Sequence, residues 1–222
     1  MWYNEIQQKQ NYNINGKKIE EVKSARDLGV IFDNKLSFGE HIHNITSRAY
    51  KMVGLIKRNF DLLDRRAFIC LYKALVRSQV EYASSVWSPY RIGINKEIEK
   101  VQRRATKIFK GCKNMSYEER LRNLGLPSLS DRRTRGDLIE TFKIIHGYYQ
   151  KDCVPSLQFK EGKKTRGNEL KLQKRMARRD VRKYSFCLRI VDEWNQLPNS
   201  VVLSRSVNEF KNSMDRWWKG GE

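Results

Sequence analysis

The stretch that decides the fold reads VRSQVEYASSVWSPY at residues 76–90, followed by IEKVQRRATKIFKGCKNMSYEERL at residues 98–121. In the second part, apolar residues recur at steps of three and four, which places them on one face of a helix. The WSPY segment interrupts the preceding pattern, and Asn95 is a residue type that caps helix amino termini. The pattern predicts a helix over about 96–110, ended by Gly111 in the left-handed conformation that favours glycine.

This helix is predicted to have two chemically different faces. The apolar residues on one side are Ile98, Val101, Ala105, Ile108 and Phe109. The basic residues on the other side are Lys96, Lys100, Arg103, Lys107 and Lys110, with Arg104 beside them. At 100° per residue, the five aligned basic residues fall within a band of about 80°. We therefore expect one face to be buried and the other to meet phosphate.

The same apolar spacing, together with capping residues, predicts six more helices. They lie at about 38–58, 65–82, 117–123, 130–148, 186–195 and 207–218. A capping box between Ser37 and Glu40 is predicted to open the first of them, and one between Ser116 and Glu119 to open the helix at 117–123.

The amino-terminal residues follow a different pattern. Asn15 and Gly16 lie between two short segments that contain apolar residues, which is a strong signal for a β-hairpin. Strands are predicted at about 10–14, 17–22 and 28–32, in a small antiparallel piece whose edge needs a partner sheet.

Together these patterns predict a mainly α fold of α+β type. A short β-hairpin occupies residues 1–35, a helical bundle 36–125 and a basic carboxyl-terminal helical region 126–222. Within the last part, residues 160–183 are rich in Lys and Arg and poor in large apolar residues. They are predicted to be flexible and to become ordered only on a ligand or a neighbouring domain.

The charge of the chain points to a polyanionic partner. Lys and Arg number 45 against 25 Asp and Glu, which gives a net charge of +20. Such a charge opposes compaction unless a polyanion neutralises part of it, so nucleic acid is the first partner to expect. No apolar run approaches the roughly 18 residues of a spanning helix and no signal peptide opens the chain. We expect no membrane partner and an intracellular location, in the nucleus or the cytoplasm.

The cysteines show no metal-binding spacing. They lie more than thirty residues apart, so no Cys-x-x-Cys pair is present, and the three His complete no zinc site. We expect free, mostly buried thiols at Cys70, Cys112, Cys153 and Cys187.

Several segments together resemble one family. With the stretch quoted above, RDLGVIFDNKLSFGEHI at 26–42, RRTRGDLIETFKIIHG at 132–147 and DEWNQLPNSVV at 192–202 resemble the region after the polymerase core in reverse transcriptases of non-LTR (LINE-type, jockey-like) retrotransposons. This resemblance covers nearly the whole chain. It implies a residual palm-end hairpin, a thumb-like helical bundle and a post-thumb region. Because Met1 falls inside continuous coding sequence of such elements, it also implies a piece of a longer RNA-directed DNA polymerase.

Catalysis in that family depends on palm-domain aspartates, two of them adjacent, that hold divalent ions. No two Asp are adjacent in this chain, and acids such as Asp27 and Asp33 are isolated. We therefore expect no active site and no cofactor here, with magnesium belonging to a palm domain of a longer product. Asp27 is expected to serve a turn or a cap.

The charge and the resemblance together predict that the chain grips RNA, DNA or an RNA–DNA hybrid. Phosphate contacts of this kind position a duplex without reading its sequence. The alternative for each charge run is a solvated surface. Besides the helix at 96–110, the candidate nucleic-acid-binding residues are Arg132, Arg133, Arg135, Lys174, Arg175, Arg178, Arg179, Arg182 and Lys183. Candidates to stack on bases, if exposed, are Tyr90, Tyr117, Tyr184 and Trp87, although Trp87 and Trp194 fit core positions better.

Other chemistries find no support in the sequence. There is no Gly-x-Ser-x-Gly motif and no Gly-rich phosphate loop. His41 and His43 lie two residues apart on a predicted helix and so project in different directions, and packing or capping is the expected role of His41. Two alternatives to a polymerase part stay open: a free-standing, non-catalytic nucleic-acid-binding protein derived from such an element, and a degenerate relic that folds poorly.

Overall fold

Helices dominate the computed structural model, which describes residues 12–160 and 168–220. In these residues the chain forms two short β-hairpins and then eleven α-helices. The predicted mainly α fold, with a small amount of β structure at the amino terminus, is confirmed.

The first hairpin forms where the sequence predicts it. Strand β1 (Asn13–Ile14) pairs antiparallel with β2 (Lys17–Lys18). Asn15 and Gly16 both have positive φ, 48° and 77°, which is the conformation of the tight hairpin turn that Asn-Gly favours. Residues 10 and 11 of the predicted first strand lie outside the described residues.

The second hairpin differs from the prediction. Strands β3 (Ser24–Asp27) and β4 (Val30–Asp33) pair antiparallel around a turn at Leu28 and Gly29, which both have positive φ. The predicted strand at 28–32 is therefore wrong at its start, because the conformational freedom of Gly29 allows a second tight turn. Asp27 lies at the end of β3, beside that turn.

Helix α1 (Gly39–Asn59) begins without the predicted capping box between Ser37 and Glu40. The carboxylate of Asp33 instead accepts hydrogen bonds from the backbone N–H of Ser37 at 3.1 Å and of Phe38 at 2.6 Å. It also accepts from the Ser37 hydroxyl at 3.1 Å. A turn residue five positions upstream thus satisfies the donors that lead into the helix.

The predicted helix at 65–82 is present in three consecutive parts. Helix α2 (Arg65–Leu71) is capped by Asp64, whose side chain accepts from Ala67 N–H at 2.7 Å. A π-helical segment (Tyr72–Arg77) and helix α3 (Ser78–Glu81) continue it. A π-helical turn is wider than an α-helical turn, so it shifts the side chains that follow it around the helix. The fully buried ones are Phe68, Tyr72, Val76 and Val80, whereas Leu71 and Leu75 are half-buried.

Helix α4 (Ser84–Trp87) is followed by α5 (Ile92–Thr106). The helix predicted at 96–110 therefore begins four residues earlier than expected. Asn95 is inside α5 and does not cap it, because its side chain donates to Pro89 O at 2.8 Å. The helix ends earlier than predicted, and a short 3-10 turn (Lys110–Cys112) follows. Gly111, in that turn, does not have positive φ, so its predicted left-handed cap is absent.

The next two helices agree closely with the sequence. Helix α6 (Tyr117–Leu124) begins with the predicted capping box: Ser116 Oγ accepts from Glu119 N–H, and the Glu119 carboxylate accepts from Ser116 N–H at 2.7 Å. Gly125 ends α6 in the left-handed conformation, with φ 64°. Helix α7 (Leu129–Ile145) then packs against α4 and α5.

The carboxyl-terminal region contains four helices. They are α8 (Asp180–Lys183), α9 (Phe186–Gln196), α10 (Asn199–Val202) and α11 (Val207–Trp218). Before them, the segment from Asn168 to Leu172 is anchored by this chain itself. Asn168 donates to Trp194 O at 3.0 Å, and Leu172 N–H donates to the Asn195 side chain at 2.8 Å. This part of the segment predicted to be flexible is thus ordered on α9, and residues 161–167 of that prediction lie outside the described residues.

Two hydrophobic clusters form the interior. The first buries residues between Val30 and Leu129 and contains Trp87, and the second buries residues between Leu138 and Met214 and contains Trp194. Both tryptophans are fully buried, which confirms their predicted place in the core. All four cysteines are free, but the prediction of mostly buried thiols fails because Cys70 and Cys153 are exposed.

Candidate nucleic-acid interface

The outer face of α5 carries the predicted basic residues. Ile98, Val101 and Ala105 are buried against the first core, so the opposite side of this amphipathic helix lies in solvent. All six predicted cations are exposed, and we call this set the α5 basic face: Lys96, Lys100, Arg103, Arg104, Lys107 and Lys110. Lys107 is the carboxyl-terminal cap of α5 and Lys110 is in the following 3-10 turn, so the face continues past the helix end.

Some charges of the α5 basic face already have partners on this chain. Lys100 pairs with Glu97 at 2.5 Å, and Arg103 lies 3.8 Å from a Glu118 oxygen and 4.2 Å from the centre of the Tyr117 ring. These pairs are solvent-exposed and therefore weak, so a phosphate can compete for the cations. Lys96 and Lys107 form no ion pair with the described part of the chain.

A second exposed cationic surface precedes α9. We call residues 174–183 the basic segment. Its predicted phosphate-binding residues are all exposed: Lys174, Arg175, Arg178, Arg179, Arg182 and Lys183. Lys174 forms an ion pair with Asp192, whereas the four arginines have no ion-pair partner among the described residues.

An aromatic contact joins the two surfaces. The rings of Tyr90, two residues before α5, and Tyr184, directly after the basic segment, stack on each other. The Arg91 guanidinium is 5.7 Å from the centre of the Tyr90 ring, and Lys183 Nζ is 5.3 Å from that of Tyr184. Cations therefore flank the stacked pair on both chain segments. The sequence prediction omits Arg91 because it places the start of α5 four residues too late. The signal that could have found Arg91 is its position directly after Tyr90, a candidate for base stacking.

The structure places the three arginines of α7 differently from the prediction. Arg132 makes a bidentate ion pair with Glu81, at 2.8 and 2.9 Å, and Arg135 makes one with Asp215, at 2.8 Å for both bonds. Arg133 is 3% exposed and donates to Asn95 Oδ1 at 2.7 Å. These three side chains tie α7 to α3, α11 and α5. Arg133 is thus corrected from a surface phosphate ligand to a buried group, and Arg132 and Arg135 are occupied by carboxylates.

Burial and nearby carboxylates shift the pKa values of these guanidinium groups in opposite directions. Burial lowers the pKa of Arg133, while nearby Glu99 and Asp137 act to raise it. The hydrogen bonds with Glu81 raise the pKa of Arg132. Both groups are guanidinium ions, which keep their charge in proteins at neutral pH.

Two of the four aromatic candidates for base stacking are buried, and the other two stack on each other. Trp87 and Tyr117 are buried, with exposed fractions of 0% and 7%. Tyr90 and Tyr184 each present a ring face to the other. Tyr117 also donates its hydroxyl to Glu99, which fixes it inside the bundle. The two exposed surfaces are thus cationic more than aromatic.

Within 12–160 and 168–220, no group of three or more His, Cys, Asp or Glu side chains is placed to hold a metal ion. Across the same ranges, no helix has the length and apolar character needed to cross a membrane.

Comparison with known proteins gives one weak relative. An uncharacterised protein of Caenorhabditis elegans is 24% identical over 144 residues, which are 64% of this chain and 73% of that protein. No protein-family model matches the chain, and no solved structure matches it.

Proposed function

We propose that this chain binds the sugar–phosphate backbone of a nucleic-acid duplex through the α5 basic face and the basic segment. Its role is that of the thumb and post-thumb part of an RNA-directed DNA polymerase like those of non-LTR retrotransposons, gripping RNA or a template–primer duplex. The catalytic palm, with its magnesium ions, belongs to a longer product. One observation carries the proposal: two exposed cationic surfaces are joined by the Tyr90–Tyr184 stack.

The dimensions of α5 support a backbone contact. From Lys96 to Thr106 the helix advances about 15 Å, which is the axial length of roughly four base pairs at 3.4 Å each. Cations that follow one helix face can therefore meet successive phosphates. Such contacts carry no sequence information, so the proposed binding is general for duplexes.

The charge balance supports the same partner. The net charge of +20 is large for 222 residues, and the arginines of the basic segment form no ion pair among the described residues. Phosphate neutralises this repulsion and releases condensed counterions, which makes the affinity fall steeply with salt.

The test is a salt titration of the purified chain's affinity for an RNA–DNA hybrid, duplex DNA and single-stranded RNA. A triple variant with Lys100→Gln, Arg103→Gln and Lys107→Gln is expected to bind the hybrid more weakly. The slope of log affinity against log salt is expected to be less steep by about 0.9 for each phosphate that the variant no longer neutralises. A magnesium-dependent primer-extension assay on the same sample is expected to give no product.

A matched control removes the same charge elsewhere. Lys17, Lys18 and Lys23 are exposed in the amino-terminal hairpin region, and changing all three to Gln also lowers the net charge by three. This control is expected to retain most of the salt slope. If the slope falls equally in both triple variants, binding is diffuse and the α5 basic face is not the interface.

A second candidate function is a free-standing nucleic-acid-binding protein derived from such an element. It uses the same exposed cationic surfaces and needs no palm domain. The two functions predict different transcripts. An upstream reading frame that encodes an aromatic residue and paired aspartates supports the polymerase part, and a full-length transcript without one supports the free-standing protein.

A further inference from the structure

A polar cavity of about 180 Å³ is lined by residues of α5, α7 and α9 and of the segment before α5. The residues that matter in its lining are Ser88, Asn95, Arg133, Thr134, Arg189 and Glu193. Its volume is well above the roughly 10–15 Å³ that admits one water molecule. The cavity is thus large enough for a small polar ligand.

The buried guanidinium of Arg133 has one donor group without an acceptor. Its Nη2 donates to Asn95 Oδ1 at 2.7 Å, and Asn95 is itself held by its bond to Pro89 O. Nη1 is also buried, and no described residue accepts a hydrogen bond from it. A buried charged donor without an acceptor is unfavourable. The guanidinium is therefore held in position by Asn95, but it lacks an acceptor at Nη1.

Two acids, Asp137 and Glu193, also line the cavity, but neither accepts a hydrogen bond from Nη1. Both carboxylate oxygens of Asp137 are taken by Arg189, at 2.8 Å from Nε and 3.1 Å from Nη2. Glu193 also lines the cavity, but it is exposed and forms no ion pair with the described residues. The charge of Arg133 therefore has no direct carboxylate partner.

We propose that this cavity binds a phosphate group through Nη1 of Arg133. A guanidinium is well suited to phosphate because its planar donors match the oxygen atoms. The hydroxyls of Ser88 and Thr134 also line the cavity and have no hydrogen-bond partner in the described chain, so they can donate to the remaining oxygens. This site does not depend on the proposed duplex interface, because it is carried by Arg133 and not by the exposed cations.

The phosphate group has two possible sources, free phosphate and the backbone of a nucleic-acid strand. Asn95 in the cavity directly precedes Lys96 of the α5 basic face in the sequence, so α5 contributes residues to both. The chemistry recognised at Nη1 is the same in both cases. The experiment therefore begins with inorganic phosphate and then adds a strand.

The test follows the side-chain N–H resonances of Arg133 by NMR while inorganic phosphate is added at constant ionic strength. A saturable shift of these resonances is expected in the unmodified chain. Glu193→Gln removes a nearby negative charge from an exposed position and is expected to tighten binding about two- to threefold. Arg133→Lys keeps a charge but loses the fork of donors, and is expected to weaken phosphate binding at least about tenfold, measured by calorimetry.

Two results would overturn the proposal. One is the absence of a saturable shift at Arg133, and the other is an unchanged phosphate affinity in Glu193→Gln. Either result holds even if the buried Arg133→Lys variant does not fold. A five-nucleotide strand added to the phosphate-bound chain then identifies the source: displacement of phosphate from Arg133 assigns the site to a backbone phosphate, and retention assigns it to free phosphate.

Discussion

The side-chain rings of Tyr90 and Tyr184 stack in parallel, with their centroids 4.8 Å apart and 5° between their planes. One ring belongs to the chain that enters α5 and the other to the end of α8. The contact therefore fixes the position of the basic segment relative to the α5 basic face. A duplex that touches both surfaces needs this spacing.

Removing the Tyr184 ring tests that relationship without changing the charge. Aromatic pairs of this kind contribute about 0.5–1.5 kcal/mol, which corresponds to roughly 2- to 12-fold in an equilibrium constant. Tyr184→Ala is expected to weaken binding of an RNA–DNA hybrid by a factor in that range, because the two surfaces are no longer held together. Tyr184→Phe keeps the ring and is the matched control, with unchanged affinity expected. Equal affinities of the two variants would show that the stack does not contribute to binding.

A buried hydrogen-bond network joins three helical segments of the first core. Gln102 on α5 accepts from the Tyr72 hydroxyl, and its amide donates to the Tyr117 hydroxyl at 2.9 Å and to Pro127 O at 3.0 Å. Gln102 is 1% exposed, so none of these bonds is replaced by bulk water. The network positions α5, and with it the basic face.

Gln102→Leu is expected to lower the free energy of unfolding by about 1–3 kcal/mol, because the Tyr72 hydroxyl loses its buried acceptor. Adding Tyr72→Phe removes that unpaired hydroxyl and is expected to restore part of the loss. The measurement is urea denaturation of the two single variants and the double variant. Strictly additive losses would contradict a shared network.

Local signals explain which helix ends the sequence predicts correctly. The capping box of α6 uses Ser116 and Glu119, three residues apart, so its geometry follows from the chain itself. At α1 two local arrangements compete. The carboxylate of Asp33 takes the donors before the helix, and the equally plausible pattern of Ser37 with Glu40 is not used.

The candidate interface also has a part that the sequence predicts and a part that it does not. Exposure of the α5 basic face follows from helical periodicity, so sequence alone predicts it. The role of Arg132 and Arg135 does not, because their carboxylate partners Glu81 and Asp215 lie 51 and 80 residues away in the sequence. Charge runs show where cations are, and only tertiary packing decides which of them are already paired.

The hydrogen bonds that the Asp33 carboxylate accepts predict that stability is sensitive to acid. Partial burial acts to raise the pKa of its carboxyl, but the hydrogen bonds from Ser37 and Phe38 N–H outweigh this and lower the pKa below 3.8. The stabilisation from the carboxylate is therefore fully present above about pH 3.8 and is lost as the pH falls through the folded-state pKa.

Asp33→Ala is expected to lower the free energy of unfolding by about 1 kcal/mol at neutral pH, a typical net contribution of such side-chain hydrogen bonds. The difference from the unmodified chain should shrink when denaturation is repeated below pH 3.8. Asp27→Ala, which removes a carboxylate from an exposed position at the end of β3, is the control. A difference that stays constant with pH would show that the charge of Asp33 does not contribute.

The buried imidazole of His41 fastens the second hairpin to α1. Its Nδ1 accepts from Ile31 N–H at 3.3 Å, and its ring lies 5.4 Å from that of Trp87. Because Nδ1 is the acceptor, the proton of the neutral ring is on Nε2. Burial lowers the pKa of His41, and the charges of Arg48 and Arg26 lower it further. The packing role expected for this residue is thus present, and it requires the neutral form.

This arrangement predicts that stability falls in mild acid. The unfolded chain takes up a proton at His41 near pH 6.5 and the folded chain only at a lower pH, so folding loses free energy as the pH falls below 6.5. The slope from one such group cannot exceed about 1.4 kcal/mol per pH unit. In His41→Asn, whose side-chain oxygen can accept from Ile31 N–H but does not titrate, this part of the pH dependence is expected to vanish between pH 6.5 and 5. His43→Asn, on the exposed side of α1, is the matched control. Identical pH profiles for all three proteins would mean that His41 is protonated in the folded state without cost.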